Sequence, residues 1–192
     1  MQDIPKGFVV FDCEVTTWEG ALRRRWSGQG EHIEVVQIGA ARVLAANISE
    51  KETFEIIIQP TVNPRLSDFF VQLTGITQEV VDATGVSFPE ALQRFGEWMG
   101  SDYLYSWGGT FPGDEGFLQA NCELLGITFP FEPSRFHDMR EVFRRAGVAP
   151  EGYSSSTIQT ALGLPKPVVA HSALGDVRTI LAALRELQKR SA

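Results

Sequence analysis

Two carboxylates, Asp12 and Glu14, follow directly on a short apolar segment at residues 8–11. Such a segment is typical of a central strand that is buried on both faces of a sheet. Because side chains alternate along a strand, the two acids share one face, while Cys13 lies on the other. Two carboxylates on one buried face repel each other unless a cation lies between them, which favours a divalent metal site. A solvated strand end with two incidental acids is the alternative interpretation.

Two further groups of polar residues lie far from this pair in the sequence. Asp114 stands at the predicted start of a helix that continues through Leu118 and Cys122. Taken alone, an acid there is better explained by its interaction with the helix dipole than by metal binding. His171 lies just before the last predicted helix, and Asp176 lies in its first turns, so both can reach one site. A surface position for this histidine and acid is the alternative.

A fold that alternates strands and helices in one continuous run must position these residues. Apolar alternation and the Gly and Pro stops predict about five strands, and the first three form an antiparallel meander. The predicted strands are residues 8–11, 33–44, 53–59, 103–107 and 136–139. The predicted helices are residues 67–70, 77–81, 87–99, 114–125, 140–146, 154–163 and 173–189. We therefore expect an α/β fold whose mixed sheet is flanked by helices.

The composition is that of one globular domain. The chain has 192 residues, of which 43% are hydrophobic, and it shows no internal repeat or linker, so a single domain over residues 1–192 is expected. No apolar run reaches the roughly 18 residues of a membrane span, and the first residues do not resemble a signal peptide. We therefore expect a soluble, cytoplasmic protein without a membrane partner. Cys13 and Cys122 are expected to be reduced, although one bridge between them stays open.

The net charge of −7 bears on possible partners. A protein that coats duplex nucleic acid needs a broad basic face, and this charge argues against one. It does not exclude nucleic acid as a substrate, because divalent cations bound to a group of carboxylates reverse the local field.

Taken together, the motifs resemble the DEDDh group of 3′-to-5′ exonucleases, in the ribonuclease H-like superfamily, and within it the ERI-1/KapD-type branch. The resemblance covers about residues 6–188. The matching segments are FDCEVT at residues 11–16 with Trp18-Glu19 after it, EVVQIGA at 34–40, LTGIT at 73–77 and HSALGD at 171–176. Gln37 stands where many relatives carry Glu. The resemblance implies a ribonuclease H-like fold and a nuclease activity.

The motif that contains Trp107 and Asp114 departs from the family pattern. Relatives usually place its Asp four residues after the Trp, and here the position four residues after Trp107 is Phe111. Aligned on the helix instead, Asp114 precedes Leu118 by four residues and Cys122 by eight, as in the family. Three residues are then inserted within residues 108–113, and the resemblance assigns Asp114, rather than Glu115, to the site.

The family resemblance also implies the reaction. Two divalent ions about 3.5 to 4 Å apart activate water on one side of a phosphodiester and stabilise the departing 3′ oxygen on the other. By the family's arrangement, Asp12 bridges both ions, Glu14 and Asp176 complete the nucleophile side, and Asp114 holds the second ion through water. Mg²⁺ fits such an all-oxygen site, and Mn²⁺ is the expected substitute. His171 is the implied general base, since imidazole exchanges protons near neutral pH.

The resemblance also suggests substrate contacts. The backbone at Val15, Thr16 and Thr17 corresponds to the segment that approaches the terminal nucleotide in relatives. Leu73 or Phe70 is expected to stack near its base.

A basic loop adjoins the first motif and contains Arg23, Arg24, Arg25 and Trp26. Its guanidinium and aromatic groups suit the guidance of single-stranded phosphates. A solvated loop without function is the other interpretation, and the sequence leaves both open.

Three functions are compatible with these motifs. The leading one is a metal-dependent 3′-to-5′ exoribonuclease that acts on single-stranded RNA or 3′ overhangs and releases nucleoside 5′-monophosphates. A DNA 3′-to-5′ exonuclease of the proofreading or repair type needs the same five residues. A nucleic-acid-binding or interaction module with a weakened active site is the third, and the intact set of four acids and a histidine argues against it.

Overall fold

The computed structural model describes residues 5–108, 113–166 and 171–190, and its centre is one mixed sheet. The strands are β1 Gly7–Val15, β2 Val35–Leu44, β3 Ser49–Ile57, β4 Leu104–Ser106 and β5 Phe136–Asp138. Their order across the sheet is β3-β2-β1-β4-β5. β1, β2 and β3 pair antiparallel, whereas β4 pairs parallel with β1 and β5 pairs parallel with β4. The predicted five-stranded mixed sheet with three antiparallel strands is confirmed.

Helices flank this sheet. They are α1 Ala21–Arg24, α2 Asp68–Thr74, α3 Gln78–Thr84, α4 Phe88–Met99, α5 Asp114–Leu124, α6 Met139–Arg145 and α7 Ala173–Arg190. Short 3₁₀ segments cover Pro133–Arg135 and Ile158–Leu162. The basic loop after β1 thus contains one helical turn, α1. Among the described residues, none of these helices has both the length and the apolarity that a bilayer crossing requires.

One predicted helix is wrong in type. The segment after Ser154 forms a 3₁₀ helix, Ile158–Leu162, instead of an α-helix. The Thr157 hydroxyl accepts the backbone N–H of Ser154 at 2.9 Å, which holds the chain in a tight turn before the helix begins. Gly163 then ends the segment in the left-handed conformation, with φ of 76°. A run of five residues is longer than most 3₁₀ helices, whose hydrogen-bond geometry is poorer than that of an α-helix.

Three helices begin at the hydroxyl residues that the sequence suggests. Ser67, Thr77 and Ser87 each accept a backbone N–H from the third residue of the following turn. Such caps satisfy one of the N–H groups that the first helical turn leaves without a partner.

The alternation along β1 divides the core between the two faces of the sheet. Phe8 and Val10 pack in a cluster with residues of α6 and α7. Val9 and Phe11 pack on the opposite face, in a cluster with residues of α4 and α5. Full burial of each such side chain contributes about 1.5 to 3 kcal/mol. Residues of even number at the end of β1 therefore face α7.

The start of α7 lies directly against β2. Gln37 Oε1 accepts the backbone N–H of Ala173 at 3.0 Å, and Gln37 Nε2 donates to Glu55 at 2.9 Å. A Cβ atom at Gly39 would lie only 2.3 Å from the backbone nitrogen of Leu174, so only glycine allows this approach. In the sheet, Gln37 pairs with Glu14 and Gly39 pairs with Asp12. The first turn of α7 is therefore fixed beside the two acids of β1.

Cys13 and Cys122 are both buried free thiols in the cluster on the α5 face. The expectation of reduced cysteines agrees with this arrangement, and no bridge joins them. Burial, followed by the nearby carboxylates of Asp114 and Asp12, raises the pKa of the Cys13 thiol well above its usual value. A buried thiol in its neutral form is not a reactive nucleophile.

Candidate active site

Three carboxylates meet where β1 and α7 converge. One ligand oxygen from each of Asp12, Glu14 and Asp176 lies within 4.8 Å of the others. Asp12 is 5% exposed and Asp176 is 3% exposed. The alternation of β1 brings the first two side chains to the face that α7 covers, and the contact at Gly39 brings the third. The structure thus brings together acids separated by more than 160 residues.

Asp114 reaches the same site from the other side of β1. β4 pairs with β1 only through Leu104 and Tyr105 and ends at Ser106. The edge of β1 on the β4 side therefore has no strand beside it at Cys13. Asp114 Oδ1 accepts the backbone N–H of Cys13 at 2.9 Å, and the side chain is buried. The carboxylate therefore takes the position that the next residue of β4 would occupy.

The neighbouring Glu115 does not join the acids. Its Oε1 accepts Gln119 Nε2 at 3.0 Å on the same helix, and it does not line the cleft that contains Asp114. The predicted insertion lies within residues 108–113, of which residues 109–112 lie outside the described residues. Alignment on the helix nevertheless identified the acid that the structure places beside Asp12.

His171 and Asp176 are joined by a short-range contact. The backbone N–H of His171 donates to Asp176 Oδ1 at 3.1 Å. His171 has a φ of 61°, in the left-handed region, which costs a residue with a Cβ about 1 to 2 kcal/mol. The carboxylate of Asp176 stabilises this conformation and leaves the imidazole at the cleft. Ser155 Oγ donates to the second oxygen, Asp176 Oδ2, at 3.2 Å, so both oxygens of this acid are oriented.

Burial raises the pKa values of all four acids, and repulsion between the acids adds to the rise at Asp12, Glu14 and Asp114. Burial, then the charges of Asp114, Asp176 and Glu14, raises the pKa of Asp12 well above its usual value. The same two causes, burial first, raise the pKa of Glu14 to about 8. Burial raises the pKa of Asp114 to about 7, although backbone N–H groups, Cys13 first, act against it. Burial also raises the pKa of Asp176, against the N–H of His171.

These carboxylates fit a divalent metal. Among the described residues that line the cleft there is no Lys or Arg to balance them. The donors are carboxylate oxygens only, a set that suits hard cations such as Mg²⁺. Without a cation, burial and repulsion favour the protonated forms of these carboxylates, whereas a cation between them favours the charged forms.

The acids form one end of a cleft of about 370 Å³, whose other walls are apolar. Val15, Thr17 and Leu73 line it, as the sequence predicted for substrate contacts. Further apolar side chains on its walls are Trp18, Leu22, Trp26, Phe69 and Phe117. Acids that hold a divalent cation, beside apolar walls, would suit a ligand that has both a phosphate group and a flat ring.

Two predicted substrate contacts are wrong. Phe70 is fully buried, in a cluster with Val36, Ile76 and Val81, and its ring cannot stack on a base. Phe69 takes its place at the cleft, and it is 37% exposed.

The second wrong contact is Thr16, whose polar groups are already hydrogen-bonded within the protein. Its N–H donates to Glu34 O at 2.8 Å, and its carbonyl accepts Trp26 Nε1 at 2.7 Å. Its hydroxyl is also engaged, with His32 and Glu34, so this buried residue offers no group to a ligand.

Sequence reasoning missed several residues that line the cleft, among them Trp18, Phe69, Trp107 and Ser155. Helical periodicity was a usable signal for Phe69, since it precedes Leu73 by four residues and shares its helix face. Trp107 follows β4 directly, so its position was predictable from the strand end. Ser155 is brought to Asp176 by a tertiary contact that no local pattern indicates.

Comparison with protein families gives a match to the RNase_T model, described as an exonuclease, over residues 9–184. The rat 3′-5′ exoribonuclease 1 is 29% identical over 193 residues, which cover 93% of this chain and 52% of the rat protein. The human 3′-5′ exoribonuclease 1 is 28% identical over 164 residues, which cover 81% of this chain and 46% of the human protein. The chain thus spans about half the length of these relatives.

Solved structures show the same fold. The nuclease domain of 3′hExo, a DEDDh family member bound to rAMP, has a TM-score of 0.80 at 24% identity. The match covers 96% of this chain and 92% of that one. Exonuclease I of E. coli in complex with single-stranded DNA has a TM-score of 0.69 at 17% identity, over 97% of this chain and 41% of that one.

Proposed function

The chain belongs to the exonuclease family that matches residues 9–184, and from this premise we propose that it is a metal-dependent 3′-to-5′ exoribonuclease. It would act on single-stranded 3′ ends and release nucleoside 5′-monophosphates one at a time. The observation that carries the proposal is the buried group of Asp12, Glu14, Asp114 and Asp176, which lies with His171 at one end of an apolar cleft.

The four carboxylates would hold two divalent ions, with Mg²⁺ as the proposed metal and Mn²⁺ as a substitute. Bound there, the ions would supply charge stabilisation to the attacking and the leaving oxygen of an in-line displacement. Asp12, Glu14 and Asp176 form one close group, and Asp114 approaches it from α5. The hydrogen bonds from Ser155 and His171 orient Asp176, and the N–H of Cys13 orients Asp114.

His171 is proposed as the general base. Its imidazole lies at the cleft beside Asp176, and its left-handed backbone is held by that acid. The ring would accept a proton from the water that attacks the terminal phosphodiester. The Asp176 carboxylate would then lie close to the imidazolium that forms and stabilise its charge.

The terminal nucleotide would occupy the apolar part of the cleft. Phe69 and Leu73 share one face of α2 and line the wall, so they would contact the base. Such contacts are tolerant of sequence, because every base presents a π-face. The backbone at Val15 and Thr17 would border the sugar and phosphate next to the acids.

RNA is the proposed substrate because the rat and human relatives are named exoribonucleases. The fold by itself serves DNA as well, since exonuclease I of E. coli was solved with single-stranded DNA.

Matched RNA and DNA oligonucleotides of one sequence, single-stranded or with a 3′ overhang, test this choice. Each is incubated with Mg²⁺, and the rate of mononucleotide release is compared. We expect faster release from RNA and from unpaired ends. Equal or faster release from DNA would contradict the assignment as an exoribonuclease, while leaving the nuclease chemistry in place.

A further inference from the structure

The cleft poses an electrostatic problem for a nucleic acid. Its floor holds four carboxylates, and its described lining residues include no Lys or Arg. A polyanion therefore needs positive charge just outside the cleft, because phosphate neutralisation supplies most of the affinity for nucleic acid. The residues next to the lining on α1 provide such charge.

The loop that carries α1 is firmly anchored. Ala21 is buried, and the Trp26 indole is buried with its Nε1 donating to the carbonyl of Thr16 at 2.7 Å. The Trp26 ring also packs edge-on against Phe117, with ring centroids 5.7 Å apart. α1 therefore stands at a fixed position along the mouth of the cleft, where Gly20 and Leu22 line it.

The adjacent arginines on α1 have different surroundings. Arg24 donates to Glu31 Oε2 at 2.9 Å and to the carbonyl of Glu19 at 2.7 Å, so its charge is balanced within the loop. Arg23 is exposed, and no carboxylate of a described residue forms an ion pair with it. A Cβ at Gly20 would lie 3.6 Å from Arg23 Nη2, which puts this guanidinium beside a residue of the cleft wall.

Gly20, Leu22 and Arg23 together form a surface that we call the α1 rim. Leu22 lines the cleft and is 62% exposed, so its side chain is open to a ligand that leaves the cleft along α1. Arg23 adds a cation that forms no ion pair with a carboxylate of the described residues. An apolar side chain beside this guanidinium suits a base and its phosphate, the repeating chemistry of a single strand.

We infer that the α1 rim is a binding site for the single strand upstream of the terminal nucleotide, in which Arg23 contacts a backbone phosphate and Leu22 contacts a base. This inference rests on the proposed function, because the cleft must hold the 3′ end for the strand to leave along α1. The proposed occupant is single-stranded nucleic acid.

The test is equilibrium binding of a fluorescent single-stranded 12-nucleotide RNA with phosphorothioate linkages, followed by anisotropy in Mg²⁺. Arg23→Gln is compared with Lys51→Gln, which removes the same charge from an exposed position on β3. We expect Arg23→Gln to weaken binding about two- to fivefold, the range for one exposed ion pair. The slope of log affinity against log salt should become less negative by about 0.7, as for one lost phosphate contact on a single strand.

Adenosine 5′-monophosphate serves as the short probe, because it lacks the upstream phosphates. Its affinity should be the same in the two variants. The inference is overturned if Arg23→Gln and Lys51→Gln bind the 12-nucleotide RNA alike, or if the mononucleotide loses as much affinity as the RNA. Since binding is measured without cleavage, a wild-type protein that binds RNA through Arg23 but cuts nothing would contradict the proposed nuclease and leave the α1 rim intact.

Discussion

The carboxylate of Asp114 accepts a hydrogen bond from the backbone N–H of Cys13, at 2.9 Å, between the two acids of β1. This contact links the start of α5 to the strand that carries Asp12 and Glu14. It exists because β4 ends at Ser106 and leaves the edge of β1 open at that point. The position of Asp114 is thus determined by the length of a neighbouring strand.

Asp114→Asn should nearly abolish nuclease activity. The amide oxygen can still accept the N–H of Cys13, but the negative charge for the metal is lost. Mutation of a residue that hydrogen-bonds a metal ligand typically lowers metal affinity or activity about 10- to 100-fold. Loss of the ligand itself should therefore lower the cleavage rate at least about 100-fold. The measurement is the initial rate of RNA cleavage in Mg²⁺. Glu115→Gln is the control, because this side chain is buried outside the cleft, and it should retain most activity.

Stabilisation by Mg²⁺ should increase with pH. In the metal-free protein, burial first and then neighbouring charges raise the pKa of Glu14 to about 8, and burial raises that of Asp114 to about 7, from usual values near 4.5 and 3.8. The folded state therefore holds protons that the unfolded chain releases. These bound protons stabilise the folded state fully below about pH 4, and this stabilisation is lost as the pH rises through 7 to 8.

Thermal melts with Mg²⁺ or EDTA, at pH 5 and pH 8.5, measure the effect. Mg²⁺ binds the ionised carboxylates of the folded state, so the rise in Tm should be small at pH 5 and large at pH 8.5. Asp114→Asn should reduce the rise at the higher pH. An equal rise in Tm at both pH values would mean that the metal binds elsewhere.

Gly39→Ala should destabilise the protein and slow cleavage. The new Cβ would lie 2.3 Å from the backbone nitrogen of Leu174 and force the start of α7 away from β2. Overpacking of this kind costs about 1 to 3 kcal/mol, and the shift would move Asp176 and His171. Gly7→Ala is the matched control in β1, since its Cβ would meet only the carbonyl of Val43 at 3.9 Å. The free energy of unfolding in denaturant and the cleavage rate distinguish the two variants. Similar losses of stability and activity in both variants would show that α7 is not held at Gly39.

His171→Ala should separate proton transfer from metal binding. Loss of a general base slows the chemical step by roughly 10² to 10⁴ fold, while the carboxylates still bind the ions. Single-turnover cleavage and Mn²⁺ titration by electron paramagnetic resonance measure the two effects. His171→Asn controls for the backbone, because Asn tolerates the left-handed conformation. If His171→Ala loses Mn²⁺ as completely as Asp12→Ala does, His171 is needed for the metal site, and its assignment as the general base of the reaction is contradicted.

The sequence predicted those parts of the site that depend on local pattern. Alternation in β1 placed Asp12 and Glu14 on one face, and the family resemblance, aligned on the helix, selected Asp114 over Glu115. The resemblance offered Phe70 as an alternative to Leu73 and was off by one residue, because a seven-residue helix gives few positions from which to decide which ring faces the core. Location in the cytoplasm stays a prediction, since nothing in the fold bears on it.

Contacts between distant segments were beyond the sequence. The Ser155 hydroxyl meets Asp176 only because the 3₁₀ segment and α7 pack on the same face of the sheet. The backbone of Thr16 is unavailable to a ligand because Glu34 and Trp26 bind it across the β1–β2 connection. Such pairings depend on the docking of whole elements, which local propensity does not specify.

Digestion of 5′-end-labelled single-stranded RNA tests the central claim most directly, which is that the buried acids form a metal-dependent 3′-to-5′ exonuclease site. Wild-type protein and Asp12→Asn are incubated with the RNA in Mg²⁺ or in EDTA, and the products are resolved by length. The wild type in Mg²⁺ should shorten the RNA in single-nucleotide steps from its 3′ end, and both EDTA and Asp12→Asn should stop the reaction. Cleavage that persists in EDTA, or a labelled mononucleotide released first from the 5′ end, would contradict the account.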